Sequence, residues 1–448
     1  MEMKIVECSG LNQMAKGICL DGKEKIFVEG LLPGEVAKVQ IKKRNSKFTE
    51  AILIEITQKS PHRVDAECTI ADVCGGCNLQ HVSYDEQLKI KQNHAEMMMK
   101  IQDRQGEYDF KQIIGSPQRL QYRNKSFITF SYDAQHKIKP SFYIENSNDL
   151  VPFETCFVQT DNMNALTQAV AETLNYFDVP LYNRKSREGV LRHICVRENK
   201  AGDGLMLVFV VAKAEKKTFI QIAKAVQLRF PLVQSIYMNI QSHASGVLLG
   251  KKDVHLAGAE YLVDEVSGVE VNITPQAFFQ VNPKQMEQLY EHVLTKMKLT
   301  KDVHLLDFYC GIGTMTLLTA KYVATAVGID VVNSAIEMAK LNAIENGIEN
   351  ADFFGEDVED FLENFEYTDV KELAAIIDPP RKGCTPEFLT QLGELGPKKI
   401  AYVSCNPTTL ARDIVQLRAA GYTAGPIQFF DMFPQTMHVE AVVILEKR

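Results

Sequence analysis

The chain predicts a multidomain α+β protein: an OB-like β-barrel over residues 1–60, a mainly β central domain over 61–270, and a C-terminal Rossmann-like α/β domain over 271–448. Three observations carry this. Five short apolar-alternating runs fill the first stretch. Runs rich in β-branched and aromatic residues dominate 120–275. Strand and helix patterns alternate from about 280 onward. A length of 448 residues suits roughly two to four domains.

The barrel strands are MKIVECS, AKGICL, EKIFVEG, EVAKVQIKK and FTEAILIEIT, separated by Asp21-Gly22 and by Gly30-Leu-Leu-Pro33-Gly34. Residues 84–102 have helical spacing and no Gly or Pro. The central β region carries KSFITFSYD, LMLVFVVAK, SIYMNI and VEVNIT, with helices expected near 162–176 and 218–227. Beyond 280, helix PKQMEQLYEHVLTKM leads to strand VHLLDF, a glycine turn and helix TMTLLTAKY. AVGID, SAIEMAKLNAIENG, AAIIDPP, TPEFLTQLG, KIAYVSC, TTLARDIVQLRAAG and VEAVVILE follow. That order predicts a doubly wound, mostly parallel sheet.

Composition excludes several classes. Hydrophobic residues are 46% and charged residues 24%, as in a folded globular chain. The longest apolar run, Leu205–Ala212, is far below the ~20 residues a membrane helix needs. The first residues include early acids and no signal-like apolar stretch, so a cytoplasmic location without membrane association is expected. A net charge of −8 rules out a polycation that coats nucleic acid. The balance is +2 over residues 1–60, zero over 61–269 and −10 over 270–448. RNA contacts would therefore be local, with the barrel's Lys38, Lys42, Lys43, Arg44 and Lys47 and the Tyr122-Arg123-Asn124-Lys125 stretch as candidates.

Asp307-Phe-Tyr309-Cys-Gly311-Ile-Gly313-Thr314 follows an apolar strand and opens a helix. Glycines there let backbone amides approach a ligand. Asp330 closes the next strand, where a carboxylate suits ribose hydroxyls. The turn alone fits either a dinucleotide or S-adenosylmethionine. Two further motifs end neighbouring strands and face the same crevice: Asp378-Pro379-Pro380-Arg381 and Ser404-Cys405-Asn406-Pro407. Hydride transfer needs no exposed thiol there, whereas methylation of an inert ring carbon does. Carbon 5 of a pyrimidine becomes nucleophilic only after a thiolate adds to carbon 6, and a base must then remove the carbon-5 proton. Cys405 is the candidate nucleophile and Glu440 the candidate base, with His438 as the alternative base.

These residues resemble the RNA (uracil-5-)-methyltransferase family, in particular its bacterial members acting on 23S ribosomal RNA. The resemblance rests on Phe278-Phe-Gln280-Val-Asn282, Asp307-Phe-Tyr309-Cys-Gly311, Ile377-Asp378-Pro-Pro-Arg381, Ser404-Cys405-Asn406-Pro407 and Thr436-Met-His438-Val-Glu440. The barrel, with Gly30-Leu-Leu-Pro-Gly34-Glu35, resembles the TRAM module of the same proteins. The resemblance implies Cys405 as nucleophile, Glu440 as base, and Gln280, Tyr309, Asp330 and Asp378 as contacts of S-adenosylmethionine. Thr314 departs from the family's usual Asn, and Asp330 from its usual Glu.

Cys68, Cys74 and Cys77 cluster, with Cys156 further on. From spacing alone, a zinc ion, an iron–sulfur cluster and unrelated free thiols all remain open. The resemblance implies a 4Fe–4S cluster on these four residues, with a structural or RNA-positioning role, since the methyl transfer moves no net electrons. It also implies an RNA partner, 23S ribosomal RNA preferred and the transfer RNA T-loop the alternative. A non-catalytic RNA-binding iron–sulfur protein is the reading from another class. A monomer is expected.

Overall fold

The structure is a computed structural model that describes residues 2–243, 246–365 and 372–448. Alternating buried and exposed side chains curl the N-terminal segment into a closed barrel. Its strands are β1 (Met3–Leu11), β2 (Gly17–Asp21), β3 (Glu24–Val28), β4 (Val36–Arg44) and β5 (Thr49–Gln58), in the order β1-β2-β3-β5-β4, with β4 closing on β1. Cys19, Ile26, Val28, Ala37 and Val39 fill it. The buried Glu35 carboxylate accepts from Leu32 N (2.8 Å), Ser60 N (3.1 Å) and Arg63 Nε (2.6 Å), tying the barrel to the segment that follows. Burial opposes its ionisation, but these donors hold its carboxyl below the ordinary range.

Helix α1 (Tyr84–Gln102) comes next. A seven-stranded sheet is then built from β6 (Lys125–Tyr132), β7 (Ile138–Tyr143), β8 (Leu150–Pro152), β9 (Leu191–Glu198), β10 (Leu205–Val211), β11 (Val233–Ile240) and β12 (Lys252–Gly258). Its order is β12-β11-β10-β9-β6-β7-β8, antiparallel except between β10 and β11. Helices α2 (Asp161–Tyr176) and α3 (Lys216–Arg229) bury Leu166, Val170, Phe219 and Ile222 against one face.

A hairpin, β13 (Leu262–Val266) and β14 (Val269–Ile273), precedes the last unit. That unit runs α4 (Pro283–Met297), β15 (Val303–Phe308), α5 (Thr314–Ala320), β16 (Thr325–Ile329), α6 (Asn333–Glu345), β17 (Ala351–Phe354), α7 (Val358–Asn364), β18 (Glu372–Ile377), α8 (Pro386–Leu395), β19 (Lys399–Ser404), α9 (Pro407–Ala419), β20 (Tyr422–Ala424), β21 (Gln428–Phe430) and β22 (Glu440–Lys447). The sheet order is β17-β16-β15-β18-β19-β22-β20, with β21 also on β22. The strands β15 to β19 are mutually parallel; β22, β20 and β21 pair antiparallel. Chain order reverses between β15 and β18, which opens a crevice at the carboxyl ends of those strands.

Helix α1 and residues 108–114 pack on this last sheet. Ala95, Met99 and Ile113 join Phe308, Leu410 and Phe429 in one apolar core, and Phe110 and Ile114 bridge to Ile427 and Phe430. Among the described residues no helix is long and apolar enough to cross a membrane.

Candidate active site

The turn after β15 is shaped by backbone conformations that favour glycine. Tyr309, Gly311 and Gly313 have φ of 65°, 56° and 79°. A Cβ on Gly313 would meet the Phe353 ring at 2.7 Å, so that position also needs the missing side chain. Asp330 holds the turn from the next strand: its carboxylate accepts from Gly311 N (3.0 Å) and Val332 N (2.8 Å). Thr316 Oγ1 donates to the buried Asp307 carboxylate at 2.6 Å. Gln280, Tyr309 and Asp378 line one cavity with Asp307, Tyr290 and Thr314. Asp330 stands at the end of β16, beside this turn, and each of its oxygens keeps acceptor capacity beyond the one N–H it takes.

Cys405 and Glu440, the candidate nucleophile and base, stand near Asp378 beside that cavity. β19 and β22 pair with Ser404 opposite Ala441, a register that sets Cys405 against Glu440. Asn406 caps α9 by accepting from Thr408 N (3.1 Å), and its Nδ2 donates to Arg381 O (3.0 Å). That second bond fastens the Asp378–Arg381 turn to the Cys405 turn. Cys405 is half-buried, and burial together with the Glu440 and Asp378 carboxylates pushes its thiol up to about 11. Glu440 is 3% exposed, and burial, then Asp378, raises its carboxyl well above the usual range. Burial lifts Asp378 to about 7. Asp307 also rises to about 7, chiefly through burial, with Thr316 opposing and Asp378 adding to the rise. The Arg381 guanidinium is the cation that favours ionisation of both Cys405 and Glu440. Burial, then Arg381, pushes His438 down to about 4, so its ring is neutral at neutral pH.

A family model described as tRNA (Uracil-5-)-methyltransferase matches residues 268–448. An uncharacterized RNA methyltransferase of Oceanobacillus iheyensis is 37% identical over 94% of this chain and 91% of its own length. One from Clostridium tetani is 34% identical over 98% of this chain and 95% of its own. The crystal structure of Pyrococcus abyssi tRNA (uracil-54, C5)-methyltransferase with S-adenosyl-L-homocysteine superposes with a TM-score of 0.78 at 27% identity, covering 99% of this chain and all of that one. The chain belongs to the RNA (uracil-5-)-methyltransferase family. It is an S-adenosylmethionine-dependent RNA methyltransferase.

The methyltransferase has a second, larger cavity of about 700 Å³. Cys68, Cys74, Cys77 and Cys156 all line it, with Arg123 and His438. Gln280 faces the first cavity and its neighbour Val281 the second. None of the four forms a disulfide, and all are partly buried. Burial raises Cys77 to about 12 and Cys156 to about 11, and the neighbouring thiols add to both. In type and number they fit a thiolate-bound group. Among the described residues, however, no set of three or more His, Cys, Asp or Glu side chains is disposed to hold a metal ion.

The 122–125 stretch divides by strand alternation. Arg123 and Lys125 line the large cavity, whereas Tyr122 and Asn124 are buried and donate to Pro434 O (3.1 Å) and Gln280 O (3.2 Å). On the barrel, Arg44 is engaged by Glu2 (2.7 Å) and Glu24 (3.0 Å), while Lys38, Lys42, Lys43 and Lys47 stay exposed. Sequence reasoning missed Tyr290, whose phenol feels Asp378, Asp307 and Glu440 and is raised mainly by burial. A tyrosine on an amphipathic helix carries no sequence mark that separates a cavity-facing ring from a core one.

Proposed function

We propose that the enzyme methylates carbon 5 of a uridine through a covalent adduct on Cys405, with Glu440 as the base. The observation that carries this reading is the placement of a thiol opposite a buried carboxylate at the mouth of antiparallel strands, beside a cavity lined by Gln280, Tyr309 and Asp378. The Cys405 thiolate adds to carbon 6 and places electron density on carbon 5. S-adenosylmethionine supplies the methyl group, held by Gln280, Tyr309, Asp330 and Asp378, with Asp330 also bracing the turn that receives it. Glu440 takes the carbon-5 proton, the 5,6 double bond re-forms and the thiolate leaves. Arg381 supports both anions.

We assign 23S ribosomal RNA as the substrate, on the barrel, read as a TRAM module of OB type, and the cysteine segment, features that the family resemblance associates with ribosomal targets. Transfer RNA is the second reading, favoured by the full-length match to the Pyrococcus abyssi enzyme. The target base must leave its stack to reach Cys405. The large cavity offers Arg123 and Lys125 to the RNA, and the exposed barrel lysines add phosphate contacts. Cys68, Cys74, Cys77 and Cys156 are the proposed ligands of a 4Fe–4S cluster that shapes this cavity. Cys77→Ala should remove absorbance near 400 nm and lower solubility; full activity in an iron-free preparation would refute the assignment.

The deciding experiment supplies labelled S-adenosylmethionine with unmodified 23S transcript and a transfer RNA pool, then digests the RNA and looks for 5-methyluridine. Label in 23S alone, lost with Cys405→Ala, supports the ribosomal reading. Label in transfer RNA alone keeps the chemistry and overturns the substrate.

A further inference from the structure

Residues 431–438 join β21 to the strand that begins with Glu440. Its first five residues, 431–435, are held by groups from elsewhere in the chain, while Thr436 bonds back to Phe433 O. Lys91 Nζ donates to Asp431 Oδ1 (2.5 Å) and Phe433 O (2.9 Å), and Tyr84 Oη donates to Asp431 Oδ2 (2.8 Å). Asn282 Nδ2 donates to Met432 O (3.2 Å), and Tyr122 Oη to Pro434 O (3.1 Å).

Gln435 stands at the centre of this segment. Its φ is 69°, a left-handed conformation strained for any residue with a side chain, and it is 5% exposed. Its carbonyl accepts from Asn78 N (2.9 Å) and Leu79 N (3.0 Å), the two residues after Cys77. Its amide faces that of Gln87 on α1 reciprocally: Gln87 Nε2 lies 2.9 Å from Gln435 Oε1, and Gln435 N donates to Gln87 Oε1 at 3.1 Å. Gln435 Nε2 also donates to Arg119 O (3.1 Å). One strained, buried residue thus joins the cysteine segment and α1 to the run that ends at Glu440.

We propose that Gln435 is a positioning residue for proton removal, through which the seating of the cysteine segment and of α1 sets the placement of Glu440. The inference rests on the reading of Glu440 as the base. In that step the C5–H bond breaks and its proton passes to the Glu440 carboxylate. The C–H electrons re-form the 5,6 double bond, the C6–S bond breaks, and its electron pair returns to Cys405. Thiolate addition and methyl transfer come earlier and do not use Glu440. A displaced base therefore leaves methylated RNA attached to the protein.

Gln435→Gly keeps the left-handed backbone and the carbonyl while deleting the amide. Gln87→Met deletes the partner while filling its space. Both variants are assayed on ordinary uridine RNA for kcat, for KM and for RNA–protein adduct on denaturing gels, beside a thermal melt. A fall in kcat of about 10- to 100-fold is expected, with kcat/KM for RNA held within about twofold, since proton removal follows methyl transfer, and adduct accumulating as in Glu440→Gln. If Gln87→Met does not fold, Gln435→Gly alone decides, because it relieves strain. Wild-type turnover, or slow turnover without adduct, overturns the proposal. An inactive wild type overturns it together with the reading on which it rests.

Discussion

Two halves of one sheet edge treat their acidic side chains in opposite ways. At the end of β16, both carboxylate oxygens of Asp330 accept backbone N–H groups, and the result is a rigid turn. At the ends of β18 and β19 and the start of β22, no hydrogen bond among the described residues reaches the Asp378 or Glu440 carboxylates, and burial pushes both up. The first half uses charge to fix geometry. The second keeps charge poorly compensated, the condition that the proposed proton removal by Glu440 requires. β15 alone lies between β16 and β18, so the two treatments sit close together on one sheet.

The sharpest way to break this contrast is to remove the reacting groups singly. Cys405→Ala should abolish methyl incorporation and any covalent capture of 5-fluorouridine RNA. Glu440→Gln should lower turnover by about 10²- to 10⁴-fold yet retain capture, seen as adduct on a denaturing gel. If both variants lose capture equally, the division of roles fails.

Asp307 tests the energetic side. Its folded carboxyl sits near 7 against an ordinary 3.8. A raised folded value means that the native state binds the extra proton. The stability it contributes is then highest below the unfolded value and falls as pH climbs through 7. At pH 8, Asp307→Asn should therefore raise stability by about 2–4 kcal/mol, shrinking toward zero near pH 4. Denaturant unfolding at the two pH values measures this, and a pH-independent difference would refute it.

Arg381 sharpens the contrast further. Arg381→Met should move the kcat/KM profile toward alkaline pH by about one unit or less, because the thiol and the carboxyl both lose their supporting cation. The smallest effect is expected at the barrel. Lys42→Glu with Lys43→Glu should weaken RNA binding about tenfold at low salt and flatten its salt slope, with cofactor affinity unchanged by titration.

How much of this was legible beforehand differs by region for physical reasons. Residues 84–102 and 283–297 are helices over the expected spans, because their periodicity and caps are local properties. The glycine turn was legible for the same reason. The short strand β17 and helix α7 were not, since four and seven residues give too little periodicity to read. Partners distant in sequence were equally hidden. Nothing in YDEQLKIKQ indicates that Lys91 is fully buried against Asp431, and nothing in PQTMH indicates that Gln435 adopts a left-handed backbone. At the site, Gln280, Tyr309 and Asp378 share a cavity that their motifs suggested. Asp330 also braces the turn, a contact that depends on where Gly311 N points and that its motif does not mark.

The Lys91–Asp431 contact closes across 340 residues. On a ribosome adding roughly 5–20 residues per second, about 20–70 s pass between the synthesis of its two ends. Throughout that interval Lys91 stays hydrated and the apolar face of α1 has no sheet to cover. The barrel already has all its strands by then, and the seven-stranded sheet completes well before Asp431 is made. The run leading to Glu440 is among the last parts synthesised, and it takes its shape by docking onto elements made first. The newborn protein acquires its shell early and the strand that begins with Glu440 late.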